Sequence, residues 1–153
     1  MPYSLDTSGF LDAWVRHYPP DVFPPIWQQM EDAGERGVVL VSDEVLRELE
    51  RKDDGAYEWL KARGQMIVPL DSNIEAAVKD LLKQHPRLLD TRKSRSGADP
   101  FVIALARLRG LTVVSAEIRS GNLQKPKIPD VCDALGIECL NLIDFFRKEG
   151  WRL

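Results

Sequence analysis

Four acidic residues stand where apolar, strand-like runs give way to the starts of helices. They are Asp6, Glu48, Asp99 and Glu117. In an open parallel α/β sheet, side chains that follow the strands meet in a crevice at the carboxyl ends of those strands. Carboxylates gathered there raise each other's pKa unless a cation neutralises them. The arrangement therefore predicts a divalent metal site, and with it phosphoester chemistry.

Each of these acids also has a purely structural explanation. Asp6 and Asp99 can serve as N-caps of the helices that follow them. Glu44 and Glu48 lie four residues apart on one helix face, which can face solvent, and Glu117 can be loop surface. The conjunction favours a shared site, because acids follow the first, second and fourth predicted strands.

The elements that must position these acids alternate between strands and helices. Five short apolar runs are typical of strands covered on both faces. They are residues 3–5, 38–41, 66–68, 111–114 and 137–140. The segments between them have helical apolar spacing, with a Ser72-Asn73-Ile74-Glu75 capping box and an Asn141 cap. This pattern predicts an α/β fold of three layers, α/β/α, with a mostly parallel central sheet of about five strands.

Length and composition set the class of protein. The 153 residues favour a single domain over residues 1–153, and 44% hydrophobic with 29% charged residues suits a globular core. The net charge of −3 gives no overall attraction to nucleic acid or membrane, so nucleic-acid binding requires a local basic patch. The chain lacks a signal-peptide pattern and an apolar stretch of about 20 residues, which predicts a cytoplasmic location and no membrane contact. The cysteines, Cys132 and Cys139, are predicted to be reduced core residues.

Two basic segments flank the later acids in sequence. Their residues are Arg92, Lys93 and Arg95 before Asp99, and Arg119, Lys125 and Lys127 after Glu117. Both segments are expected near the same sheet edge, where they could hold phosphates beside the reacting one. The alternative is a pair of solvated loops. Arg16 is a weaker candidate, and Trp14, Trp27 and Trp59 have the spacing of core packing residues.

Several motifs together resemble those of a known family. They are Leu5-Asp6-Thr7-Ser8, Val41-Ser42 with Arg47-Glu48-Leu49, the apolar segment from Ala98-Asp99-Pro100 to Ala106, and Val113-Val114-Ser115-Ala116-Glu117. In these motifs the chain resembles the PIN domain, the ribonuclease fold of many VapC-type bacterial and archaeal toxins. The resemblance covers essentially the whole chain in the family's order. The ending, residues 127–132 and 141–146, is similar to a less-studied branch of PIN-like proteins.

The resemblance implies a metal-dependent ribonuclease that hydrolyses RNA phosphodiester bonds, as the toxin of a type II toxin–antitoxin pair. It implies Mg²⁺ or Mn²⁺ as cofactor, with Asp6 and Asp99 as principal ligands and Glu48 and Glu117 completing the site. It also implies an RNA substrate, an antitoxin partner and a homodimer. Thr7 or Ser8 would orient a carboxylate or a phosphate oxygen.

Departures from the family pattern leave some assignments open. Glu117 stands where many PIN domains have Asp, and Glu44 is an extra acid beside Glu48. Either Glu44 or Glu48 could bind metal; the spacing from Ser42 favours Glu48.

Competing functions have weaker support. A phosphatase of the haloacid dehalogenase class needs an Asp where Ser8 stands, and a receiver domain needs an acid pair before the first strand. Gly-rich phosphate loops and the Gly-x-Ser-x-Gly elbow are absent from the sequence. His17 and His85 fall outside the acidic group, which disfavours a histidine mechanism. The remaining alternative is a non-catalytic PIN-like scaffold that binds RNA or protein.

Overall fold

A five-stranded parallel sheet lies at the centre of the protein. The computed structural model describes residues 2–52, 54–88 and 97–152. The strands are β1 Tyr3–Leu5, β2 Val39–Ser42, β3 Ile67–Val68, β4 Thr112–Val114 and β5 Cys139–Leu140. Their order is β3-β2-β1-β4-β5, and every neighbouring pair is parallel. The predicted α/β fold class and the five predicted strands are thus confirmed, with β1 in the middle.

Helices connect the strands and cover the sheet. They are α1 Thr7–Leu11, α2 Pro24–Glu35, α3 Asp43–Lys52, α4 Asp54–Lys61, α5 Ser72–Gln84, α6 Asp99–Arg109, α7 Ile128–Leu135 and α8 Leu142–Glu149. A π-helical segment, Asp12–His17, continues directly from α1. Across the described ranges, every helix is too short or too polar to cross a bilayer.

Alternating residues of β1 show how the layers are built. Successive side chains of a strand point to opposite faces of its sheet. Ser4 Oγ donates a hydrogen bond to the carbonyl oxygen of Val102 in α6, at 3.0 Å. The ring of Tyr3 packs edge-on against Phe145 in α8, with 4.7 Å between centroids. Helices α6 and α8 therefore cover opposite faces of the sheet, which gives the three layers.

An aromatic cluster holds the helices together on the α1 side. Trp27 packs edge-on against Trp14 and Trp59, with centroid distances of 4.8 Å and 5.1 Å. Phe10, which is 1% exposed, contacts all three tryptophans. These rings are packing residues, as their helical spacing predicts.

The predicted N-cap residue is confirmed for one helix and wrong for two. Asn141 caps α8, because its Oδ1 accepts from the backbone N–H of Asp144 at 2.8 Å. The cap of α5 is Asp71 rather than Ser72; Asp71 Oδ1 accepts from Ile74 N at 2.8 Å. Asp99 is the first residue of α6 and not its cap, a position that Ala98 occupies.

Candidate active site

Asp6 follows the middle strand of the sheet, and its side chain is 1% exposed. Its carboxylate accepts hydrogen bonds from Gly9 N at 2.6 Å, Ser115 Oγ at 2.8 Å and Ser8 Oγ at 2.9 Å. Ser115 follows β4, which pairs with β1. These bonds make Asp6 the N-cap of α1 and also tie the ends of two neighbouring strands together.

Gly9 allows the chain to turn tightly around Asp6. A Cβ atom added at Gly9 would lie 3.1 Å from Asp6 Oδ1 and 3.2 Å from the carbonyl oxygen of Val114. Both distances are shorter than ordinary van der Waals contacts of a methyl group. The first turn of α1 can therefore approach the end of β4 closely only because residue 9 has no side chain.

The environment of Asp6 makes its negative charge costly. Burial raises the pKa of Asp6 to about 7, and the nearby charge of Glu117 raises it too, while the bonds from Gly9, Ser115 and Ser8 oppose the rise. A carboxylate in such a position gains from a neighbouring cation, which would favour its ionised form. The donor chemistry thus fits a hard divalent cation, which prefers carboxylate oxygens.

Glu48 lies beside the start of α6. Its side chain is 2% exposed, and its Oε1 accepts from the backbone N–H of Ala98 at 2.6 Å. Ala98 directly precedes Asp99, which is 6% exposed. Lys52, one turn further along α3, places its Nζ 4.0 Å from Glu48 Oε2. Glu48 and Asp99 are therefore buried neighbours that come from opposite halves of the chain.

Glu44 occupies a different environment from Glu48. Its carboxylate pairs with the guanidinium of Arg47, three residues later on the same helix. The Arg47 side chain is 58% exposed, so this pair lies at the surface. Of the two acids that the sequence leaves open as ligands, Glu48 is the one that lies beside Asp99.

Glu117 is held by two chain segments. Its backbone N–H donates to Ser115 Oγ at 3.0 Å, and its Oε1 accepts from Ile128 N at the start of α7, at 2.9 Å. Ser115 thus connects Asp6 with Glu117, and Glu48 is bonded to the residue that precedes Asp99. Among residues 2–52, 54–88 and 97–152, no three His, Cys, Asp or Glu side chains form a ready-made metal site. The four-carboxylate site therefore stays a prediction.

Asp130 organises the polar segment that follows Glu117. Its carboxylate accepts from the backbone N–H groups of Ser120, Gly121 and Lys127 at 3.0, 2.9 and 2.8 Å, and from Ser120 Oγ at 2.9 Å. Burial raises the pKa of Asp130, but these bonds outweigh it and lower the pKa to about 2. Asp130 was not predicted from the sequence; its signal is an acid in the first turn of a helix whose second residue is proline.

A cleft of about 420 Å³ opens next to these acids. Its lining includes Ser8, Asp12, Arg16, Lys52, Ala116 and Glu117. Arg16 and Lys52 are 77% and 48% exposed, so the lining of the cleft combines accessible cationic groups with the acids Asp12 and Glu117. Such a distribution suits a phosphate chain that passes over a metal site. Arg16 was a weaker candidate from the sequence, and Lys52, four residues after Glu48, was not predicted.

A second, smaller hollow adjoins the cleft. Its volume is about 210 Å³, and its lining includes Asp12, His17, Tyr18, Ala116, Asn141 and Ile143. Asp12 and Ala116 line both cavities, so the two share a wall.

The basic residues predicted from sequence have varied positions. Arg92, Lys93 and Arg95 lie outside the described residues. Lys125 is exposed and Lys127 half-buried, and neither is among the described residues that line the cleft. Arg119 forms a two-bond ion pair with Asp133, at 2.6 and 2.8 Å, which neutralises its charge.

Thr7 and Ser8 have different surroundings. Thr7 is 4% exposed, and within the described part of the chain its Oγ1 has no hydrogen-bond partner. Ser8 Oγ donates to Asp6 and accepts from Ala116 N at 3.2 Å. Ser8 therefore both holds the buried carboxylate and lines the cleft.

Two solved structures share this three-layer α/β/α fold. One is VapBC2 from Rickettsia felis bound to a DNA fragment from its promoter, with a TM-score of 0.55 and 17% identity over 92% of this chain and 98% of that chain. The other is FitAcB from Neisseria gonorrhoeae, with a TM-score of 0.50 and 18% identity over 91% of this chain and 96% of that chain. At these identities the likeness concerns the fold.

The chain belongs to the DUF4411 family, whose model is described as a domain of unknown function and matches residues 3–153. No curated protein matches the sequence.

Proposed function

We propose that this protein is a metal-dependent endoribonuclease that hydrolyses RNA phosphodiester bonds, and that it acts as the toxin of a type II toxin–antitoxin pair. The observation that carries this proposal is the state of Asp6. A carboxylate buried at the carboxyl end of the middle strand, with its pKa raised to about 7, is poised to bind a cation. The negative charge of Glu117 adds to this tendency.

The residues that would hold Mg²⁺ or Mn²⁺ are Asp6 and Asp99, with Glu48 and Glu117 completing the set. When bound, the ion would supply Lewis-acid stabilisation of charge at the phosphorus and a water of lowered pKa. The hydroxyl groups of Ser8 and Ser115 keep Asp6 in one orientation through their hydrogen bonds.

Substrate binding would rely on the cations of the cleft. Lys52 and Arg16 reach the cleft from two different elements and could contact phosphates on either side of the scissile bond. Ser8 lines the cleft, and the buried Thr7 precedes it in α1. We propose that Arg92, Lys93, Arg95, Lys125 and Lys127 bind further phosphates of a longer RNA.

An antitoxin protein is proposed as the natural partner, and a homodimer in the cytoplasm as the working form. The support is the resemblance to VapC-type toxins, together with a fold shared with VapBC2 and FitAcB.

The first test is cleavage of a mixed RNA pool with Mn²⁺, with Mg²⁺ and with EDTA. We expect cleavage with metal only, and loss of cleavage in Asp99→Asn. The exposed Asp32→Asn is the matched control, because it removes a carboxylate from α2 far from the sheet edge. RNA that survives every condition with the native protein would contradict the proposal.

One observation favours the alternative of a non-catalytic scaffold that binds RNA or protein. Two of the acids already accept hydrogen bonds from the backbone, Glu117 from Ile128 N and Glu48 from Ala98 N. Thermal unfolding with Mn²⁺ separates the two functions. A metal site gains stability with ion concentration by mass action, whereas separate helix caps do not.

A further inference from the structure

The hollow beside the cleft has no role in the proposed hydrolysis. It shares Asp12 and Ala116 with the cleft. An RNA strand that lies in the cleft therefore passes beside the hollow. Its volume of about 210 Å³ lies below the roughly 300–1,000 Å³ of drug-sized pockets. The space therefore suits one planar ring system rather than a larger ligand.

We propose that this hollow binds one unstacked base of the RNA, and that guanine is the preferred base. The inference rests on the proposed function, since it assigns sequence preference to a site beside the same cleft. Proteins read single-stranded RNA by taking out individual bases, packing them against aromatic side chains and bonding to their edges. The lining of the hollow supplies both kinds of contact.

The aromatic wall of the hollow is held rigidly. The ring of Tyr18 packs edge-on against Phe23 and Phe146, with centroids 5.5 and 5.2 Å apart. The ring of His17 lies 6.2 Å from it. Ile143, which is 42% exposed, adds an apolar surface at the edge of the hollow. A base that enters here covers apolar and aromatic surface without ordering a flexible wall.

The polar groups favour guanine over the other bases. The carboxylate of Asp12 only accepts hydrogen bonds, and guanine alone has two adjacent N–H donors, N1–H and N2–H, on its pairing edge. In adenine, cytosine and uracil the position next to the N–H donor on this edge is an acceptor, which the second carboxylate oxygen would repel. The amide nitrogen of Asn141, whose oxygen caps α8, adds a donor that suits O6 of guanine.

The contacts that Asp12 makes allow an acid to work in an RNA site. Arg16 NH1 lies 3.7 Å from Asp12 Oδ1, and His17 Nε2 lies 3.3 Å from Asp12 Oδ2. Arg16 keeps the local charge balanced, so Asp12 does not repel the RNA backbone in the adjoining cleft. The same acid makes a phosphate an unsuitable occupant of the hollow.

The test measures binding without cleavage. Fluorescein-labelled RNA hexamers, one all-adenosine and one with a single central guanosine, are titrated against the full chain carrying Asp99→Asn, in EDTA. We expect the guanosine hexamer to bind about 5- to 100-fold more tightly, the range for one good two-bond base contact. Adding Asp12→Asn should make the two affinities equal, whatever change the loss of its charge causes in the binding of both hexamers.

A second pair of variants tests the hollow without altering Asp12. Ile143→Trp fills the hollow and should remove the preference for guanosine, whereas Val22→Trp, at an exposed site outside the lining, should keep it. Equal binding of both hexamers, or a preference that survives both Asp12→Asn and Ile143→Trp, would overturn the inference. Guanosine preference with no cleavage by the native chain would instead refute the nuclease and retain the base site.

Discussion

Replacing Asp130 with Asn should lower the free energy of unfolding by about 2–4 kcal/mol. The pKa of Asp130 falls from its ordinary 3.8 to about 2, because four hydrogen bonds outweigh the effect of burial. At about 1.4 kcal/mol per pKa unit, the ionised side chain favours the folded state by roughly 2–3 kcal/mol. Asn keeps only one acceptor oxygen, so at least one of the N–H groups of Ser120, Gly121 and Lys127 loses its partner, at a cost of about 1–3 kcal/mol. The loss of the ionised side chain and the loss of an N–H partner describe partly the same hydrogen bonds, so the change in the free energy of unfolding should be smaller than their sum.

The pH dependence of stability gives an independent check on the same residue. The folded-state pKa of Asp130 lies below its unfolded value, so the unfolded state binds the proton more readily between these values. The contribution of Asp130 is therefore present above about pH 4 and lost as the pH falls towards 2. The Asn variant should lack this component of acid unfolding.

The assay is urea unfolding followed by tryptophan fluorescence, at neutral pH and near pH 3. Asp133→Asn is the matched control, since Asp133 lies three residues away on α7 and pairs with Arg119 at the exposed surface. Exposed pairs contribute little to stability, so this control should unfold like the native protein. A loss below about 0.5 kcal/mol in Asp130→Asn, the range of ordinary surface substitutions, would refute the reasoning.

Three further changes test other parts of the structure. Asp6→Asn should abolish cleavage and also the stabilisation of the native protein by Mn²⁺, which amounts to about 2.7 kcal/mol at a hundredfold excess over Kd and is measured as a rise in melting temperature. A rise that persists in the variant would exclude Asp6 as a ligand. Lys52→Ala and Arg16→Ala should each reduce the salt slope of RNA binding by about 0.7, measured by anisotropy at several salt concentrations; an unchanged slope would place the RNA elsewhere. Gly34→Ala should cost about 1–3 kcal/mol in a urea melt, because its methyl group overlaps the buried Met66; adding Met66→Ala should not then cost as much as it does alone.

Much of the fold could be predicted because its signals are local. The strands are continuous apolar runs, and β1 at residues 3–5 agrees with its predicted bounds. The cap of α8 at Asn141 likewise follows from one residue type before an amphipathic segment. The cap of α5 was wrong by one residue, because Asp71 and Ser72 are both good capping residues and only the backbone geometry separates them.

The candidate site was less predictable because its contacts join distant segments. Periodicity places Glu44 and Glu48 on one helix face, but the contact between Glu48 and Ala98, 50 residues later, buries only one of them. Lys52 and Asp12 are proposed to bind RNA because they line cavities, and no local sequence pattern predicts those cavities. Asp130 likewise depends on the path of the loop from Ser120 to Lys127, which a composition of polar residues does not specify.

The bond between Asp6 and Ser115 has a consequence for how the protein is made. These two residues are 109 positions apart, and β4 must be present before β1 acquires its second neighbour. A chain made only as far as residue 114 therefore contains Asp6 but lacks the Ser115 hydroxyl group that bonds to it. Such a chain also lacks Glu117. Contacts between distant segments also form slowly during folding. A chain proposed to cleave RNA would thus lack its assembled candidate site until β4 and the residues that follow it have been made.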